Sequence, residues 1–136
     1  MKLTQAYIDN IINTALNEDI NYIDVTTDNL ISEDHTSSAY YIAKDTGVLC
    51  GIDIAMRVFE LLDNSVEYEL KKRDGDAVLK GDIIATMSGK AAALLKGERT
   101  ALNLLQHLSG IATATNRCVK LVEGTNASVA ETRTFS

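Results

Sequence analysis

A chain of 136 residues is long enough to build one domain with a sizeable core. With 46% hydrophobic and 24% charged residues it has the composition of a folded globular protein, which excludes a disordered chain. A formal charge of −6 repels a polyanion overall, so nucleic acid is not an expected partner and only a local basic pocket remains open.

Ile8, Ile11, Ile12, Ala15 and Leu16 repeat at helical spacing behind Thr4, a residue type that caps a first turn, and predict a helix over 5–16. Glu18-Asp19 and Asp24-Val25-Thr26-Thr27-Asp28 then read as an acidic connecting segment; its carboxylates suit solvating a loop better than holding a cation. Residues 36–43 alternate as a strand, Asp45-Thr46-Gly47 turns, and Val48-Leu49-Cys50 resumes an extended run, so a hairpin is expected. Ile52, Ala55, Met56, Phe59 and Leu62 mark a second amphipathic helix that ends near Asp63-Asn64. Val66, Tyr68 and Leu70 alternate with Glu67, Glu69 and Lys71 as a half-buried strand. Asp74-Gly75-Asp76 and Lys80-Gly81-Asp82 are turns around the short apolar Val78-Leu79, and 83–87 is a further strand.

The stretch 97–113 is the most informative. Ala101, Leu104, Leu105, Leu108, Ile111 and Ala112 form an apolar stripe at a period of 3.6, while Arg99, Asn103, Gln106 and Gly110 form an opposite stripe with a lone charge. Exposed helix faces usually mix Lys and Glu, so a face this short of charge points to contact with something other than water. The helical pattern continues through Cys118, Val119 and Val122 until Gly124, and Ala127-Ser128-Val129-Ala130 reads as a small-residue strand before Glu131-Thr132-Arg133. A helix feeding a strand looks like the start of an α/β unit.

No apolar run approaches the roughly 20 residues that span a bilayer, and Met1-Lys2-Leu3-Thr4-Gln5 has no signal-peptide core. A cytoplasmic protein with no membrane partner is therefore the default expectation. Cys50 and Cys118 lack metal-ligand spacing and are read as small buried apolar residues in a reducing compartment. No nucleophile elbow, phosphate loop, paired metal histidines or dinucleotide fingerprint occurs. His35 in a polar loop and His107 on the flank of the long helix are read as structural. Arg99 and Arg133 are the better candidates, because a guanidinium pairs bidentately with carboxylate or phosphate. Bottom-up, the chain is a mixed α/β domain with a candidate anion site.

The run Gly97-Glu98-Arg99-Thr100-Ala101-Leu102-Asn103, continued by Leu108-Ser109-Gly110-Ile111-Ala112-Thr113 and Glu131-Thr132-Arg133, resembles quinolinate phosphoribosyltransferase. Glu18-Asp19 with Asp24-Val25-Thr26-Thr27, Gly47-Val48-Leu49-Cys50-Gly51, and the two turns Asp74-Gly75-Asp76 and Lys80-Gly81-Asp82 agree with it in order. The resemblance implies an α+β fold: an antiparallel sheet with packed helices, hammerhead-like, over 1–110, followed by the first helix and strand of an incomplete α/β barrel over 111–136. It implies a reaction of quinolinate with phosphoribosyl pyrophosphate that needs magnesium (Mg2+) and yields nicotinate mononucleotide, pyrophosphate and CO2 in NAD biosynthesis. It further implies a homodimer or larger assembly in which Arg99 reaches a quinolinate carboxylate across the subunit contact, with Thr132 and Arg133 holding the same substrate. The family continues after its arginine with a lysine, whereas this chain reads Thr134-Phe135-Ser136, so a truncated form without activity of its own is expected. Two alternatives stay open. One is a non-enzymatic hammerhead-type binding or dimerisation module, with Lys71, Lys72 or Lys90 as a carrier lysine; the other is a related type II phosphoribosyltransferase for another small acid.

Overall fold

Helix α1 (Gln5–Leu30) carries straight through the stretch expected to be an acidic loop. The computed structural model describes residues 3–30 and 34–130, with side chains outside 19–30. The reason for the longer helix is in the pattern: Leu16, Ile20 and Ile23 keep helical apolar spacing, and no Gly or Pro interrupts it. At its start the Thr4 hydroxyl accepts from the Tyr7 amide at 3.3 Å, the cap that the sequence suggested. Among the described side chains of α1, Ile12 and Leu16 are buried in the core.

Strand β1 (Thr36–Ile42) pairs antiparallel with β5 (Ile83–Lys90), and β3 (Glu67–Leu70) pairs with the other edge of β5. The sheet order is therefore β1-β5-β3. The expected hairpin between 36–43 and 48–50 does not form. Strand β2 (Gly47–Val48) turns away from β1 and pairs instead with β4 (Ala77–Val78). Two features draw it there. The Asp74-Gly75-Asp76 turn receives it, with the Gly75 amide donating to the Leu49 carbonyl (2.8 Å) and the Leu49 amide to the Asp76 carbonyl (3.0 Å). The Lys80-Gly81-Asp82 turn meanwhile occupies Ala43, through bonds of 2.8 and 2.9 Å. Both turns need their glycine, since Gly75 and Gly81 sit at φ 91° and 94°.

Helix α2 (Ile52–Leu62) has the predicted bounds and buries Ile52, Ala55, Met56, Val58 and Phe59. It packs on α3 (Ala91–Val122), where Gly97 lets the two backbones approach: a Cβ at that position would lie 2.8 Å from the Phe59 ring. A forked ion pair ties α1 to α2, with Arg57 Nε on Asp9 Oδ1 and Arg57 Nη2 on Asp9 Oδ2, each at 2.9 Å. The core runs from Ile12 and Leu16 through Phe59 to Ile84, Ala85 and Met87 of the sheet and Leu94, Ala101 and Leu105 of α3.

Helix α3 is unbroken across residue 110, and its buried residues stop at Leu105. Beyond that point Ile111 (54% exposed), Val119 (42%) and Leu121 (83%) face outward. Cys118 lies on this outward part and is exposed, and Cys50 is half-buried, which corrects the expectation of two buried cysteines. The expected strand over 127–130 is not paired as one, because a strand needs a neighbouring ladder and the described residues supply none there. Glu131, Thr132 and Arg133 lie outside the described residues.

Candidate functional site

The polar residues of α3 divide by direction. Ser109 and Thr113, one turn apart, hold the backbone of the Gly47–Cys50 run. Ser109 Oγ accepts from the Cys50 amide (3.0 Å) and donates to the Cys50 carbonyl (3.1 Å), and Thr113 Oγ1 accepts from the Val48 amide (3.0 Å). Thr113 also donates to the Ser109 carbonyl at 2.7 Å. Two residues beyond Cys50, the Ile52 amide donates to Asp74 Oδ1 at 2.9 Å. Much of the distinctive composition of 108–113 is thus accounted for by the need to satisfy a short edge strand.

Arg99 points elsewhere. It is exposed and lines a concavity of about 730 Å3 together with Ala15 and Glu18 of α1 and Asn103, Gln106 and His107 of α3. Glu18 was read as part of a loop and His107 as structural; the structure brings both beside Arg99, because α1 packs against α3. Helical periodicity places Asn103 and Gln106 on the Arg99 face, but only the tertiary packing of α1 introduces Glu18. The other two predicted substrate residues, Thr132 and Arg133, lie outside the described residues.

A larger concavity of about 1170 Å3 lies between β1 and α3, with walls that include Tyr41, Phe59, Met87, Leu94 and Glu98. Tyr41 is 8% exposed, and its hydroxyl has no hydrogen-bond partner among the described residues. Burial, and then the nearby charge of Glu98, raise its phenol above the ordinary range. The alternation of Ala39, Tyr41 and Ala43 had marked this side chain as inward-facing, but not the space beside it. Size does not decide between the two concavities for an anion: Lys44 lines the larger and Arg99 the smaller, and of the two cations the forked guanidinium of Arg99 is the one that pairs bidentately with a carboxylate.

The lysines proposed as carriers are engaged or structural. Lys71 Nζ pairs with Glu69 at 2.8 Å, Lys72 Nζ lies 3.8 Å from Asp82, and Lys90 stands at the N-cap of α3. His35 contributes its carbonyl, which accepts from the Ala91 amide at 2.8 Å. Among the described residues no group of three or more His, Cys, Asp and Glu is placed to hold a metal ion.

The sequence profile described as quinolinate phosphoribosyl transferase, N-terminal domain, matches residues 24–109. The chain belongs to the quinolinate phosphoribosyltransferase family. Among its relatives is the probable nicotinate-nucleotide pyrophosphorylase [carboxylating] of Bacillus subtilis, 41% identical over 123 residues, which are 90% of this chain and 42% of the relative. The similarly named protein of Synechocystis is 43% identical over 107 residues, 79% of this chain and 36% of the relative. The crystal structure of NadC from Streptococcus pyogenes superposes with a TM-score of 0.84 at 36% identity, over 90% of this chain and 44% of that one. This chain therefore spans about two fifths of the length of these quinolinate phosphoribosyltransferase relatives. Their shared architecture is α+β, an antiparallel sheet with packed helices. The region matched by the phosphoribosyltransferase profile includes Arg99 and Ser109 and ends before Thr113.

Proposed function

We propose that this chain supplies the N-terminal part of an enzyme that joins quinolinate to phosphoribosyl pyrophosphate, releasing CO2 and pyrophosphate and leaving nicotinate mononucleotide for NAD biosynthesis. Family membership and the names of the relatives support the reaction. The observation that carries the site is Arg99, an exposed guanidinium on an otherwise nearly uncharged helix face, in the lining of the smaller concavity.

The chemistry follows from the substrate. Quinolinate carries two carboxylates, and removing them from water without forked cationic donors is costly. Arg99 offers one such fork to one carboxylate and holds the ring in register; Thr132 and Arg133 are proposed to complete the grip. Positioning and electrostatics then supply the acceleration, with no covalent step on Arg99. The division of the chain near residue 110 belongs to the same proposal: the part up to 110 presents Arg99, and 111–136 opens the barrel. The outward Ile111, Val119 and Leu121 support a homodimer or larger assembly, in which Arg99 serves the partner subunit's site. Two free cysteines suit a reducing compartment such as the cytoplasm. The described residues do not fit a magnesium site, so no step is assigned to the metal, and we place its ligands outside them.

Calorimetric titration of quinolinate into a full-length protein carrying this stretch tests the assignment. Arg99→Ala is expected to weaken binding roughly ten- to hundredfold, the range for a hydrogen bond to a charged group. Unchanged affinity removes Arg99 from the site.

A further inference from the structure

Of the polar side chains on α3 between residues 98 and 113, Ser109 and Thr113 are taken up by the backbone of Gly47–Cys50, Thr100 is buried, and Glu98 faces the larger concavity beside Tyr41. Arg99, Thr100, Asn103, Gln106 and His107 line the smaller one, and Gln106 lines the larger one as well. Asn103 stands one turn from Arg99, a spacing that brings two helical residues within about 5–6 Å at Cβ. Its side chain is exposed, and its carboxamide makes no hydrogen bond among the described residues.

We propose that Asn103 is a second substrate-contacting residue, which reads a pyridine dicarboxylate jointly with Arg99. The inference rests on the reading of Arg99 given above. Quinolinate presents two adjacent carboxylates and a ring nitrogen, all of them acceptors. One guanidinium fork satisfies one carboxylate, and the grip proposed for Thr132 and Arg133 still leaves acceptor positions on the second carboxylate and the ring nitrogen. The Asn103 amide nitrogen supplies two more donors, in a group that is neutral and therefore needs no counter-charge when the substrate is absent. A pyridine with a single carboxylate leaves these donors unpaired, and a site built to hydrogen-bond a missing group discriminates strongly against the analogue that lacks it. Asn103 is therefore a specificity-determining residue for the diacid over the monoacid.

The test measures KM for quinolinate and for phosphoribosyl pyrophosphate in the full-length enzyme carrying Asn103→Ala, Asn103→Asp or Arg99→Ala, with a melting scan for each. Asn103→Ala is expected to raise the quinolinate KM roughly tenfold and to leave the phosphoribosyl pyrophosphate KM and the melting temperature in place. Asn103→Asp, nearly isosteric, is expected to raise it further, with the excess shrinking as salt screens the new carboxylate from the dianion. If both Asn103 variants keep the wild-type quinolinate KM while Arg99→Ala raises it, the inference is overturned and Arg99 stands. Equal rises in both KM values with a lowered melting temperature overturn it in favour of a packing role. If Arg99→Ala also leaves the quinolinate KM unchanged, the reading of the site falls and takes the Asn103 inference with it.

Discussion

At the scale of single residues, the Asp9–Arg57 fork has a clear acid signature. Hydrogen bonds from Arg57 and then Gln5 hold the Asp9 carboxyl at about 2, below its ordinary 3.8. A depressed carboxyl stabilises the fold above its unfolded pKa and loses that contribution as pH falls through the folded one. The melting temperature, followed by circular dichroism, is thus expected to hold from neutral pH to about 4 and to drop between about 4 and 2; Asp9→Asn removes that part of the drop. The two cysteines should also separate. Burial, and then the charge of Asp74, raise the Cys50 thiol, whereas Cys118 is exposed. Timed alkylation read by peptide mass is expected to label Cys118 well before Cys50, and the reverse order would contradict the placement of α3 beyond the sheet. Arg99 was legible as a candidate because it interrupts an uncharged stripe. Its neighbour Glu18 was not, since the two are far apart in sequence and meet only when α1 lies on α3.

At the scale of elements, the short strand β2 depends on a helix more than on a sheet. Ser109→Ala removes the acceptor for the Cys50 amide, and Thr113→Val the acceptor for the Val48 amide. Each is expected to cost about 1–3 kcal/mol by urea denaturation, the range for a partly buried donor left unpaired. Gly97→Ala drives a methyl against the Phe59 ring and is expected to cost about 1–3 kcal/mol by the same measurement, as overpacking does. Local pattern was enough for α2, whose bounds the apolar spacing predicts, and for the two glycine turns. It was insufficient for β2, because a two-residue strand chooses its partner through long-range bonds to residues 76, 109 and 113. The extension of α1 was missed for a different reason: a high density of Asp and Asn, which favour loops, masked an apolar spacing that continued beneath them.

At the scale of the whole molecule, α3 is the member that joins the buried half to the outward half. Light scattering over a range of concentrations is expected to give a mass above that of one chain, and a single-chain mass throughout would remove the proposed assembly. Placing a charge at Leu121, as Leu121→Glu, is expected to shift the distribution toward single chains while leaving the core and its melting unchanged. The absence of a break between Ala91 and Val122 has a mechanical result. From Leu105, the last buried residue of the helix, to Val122 is a lever arm of about 25 Å. A tilt of about 5° about Leu105 therefore carries its tip by about 2 Å, and the same tilt about Gly97, where α3 meets Phe59, by about 3 Å. Repacking at Gly97 would be magnified at the far end of α3, and the proposed assembly would feel it as a change in alignment set by one buried glycine.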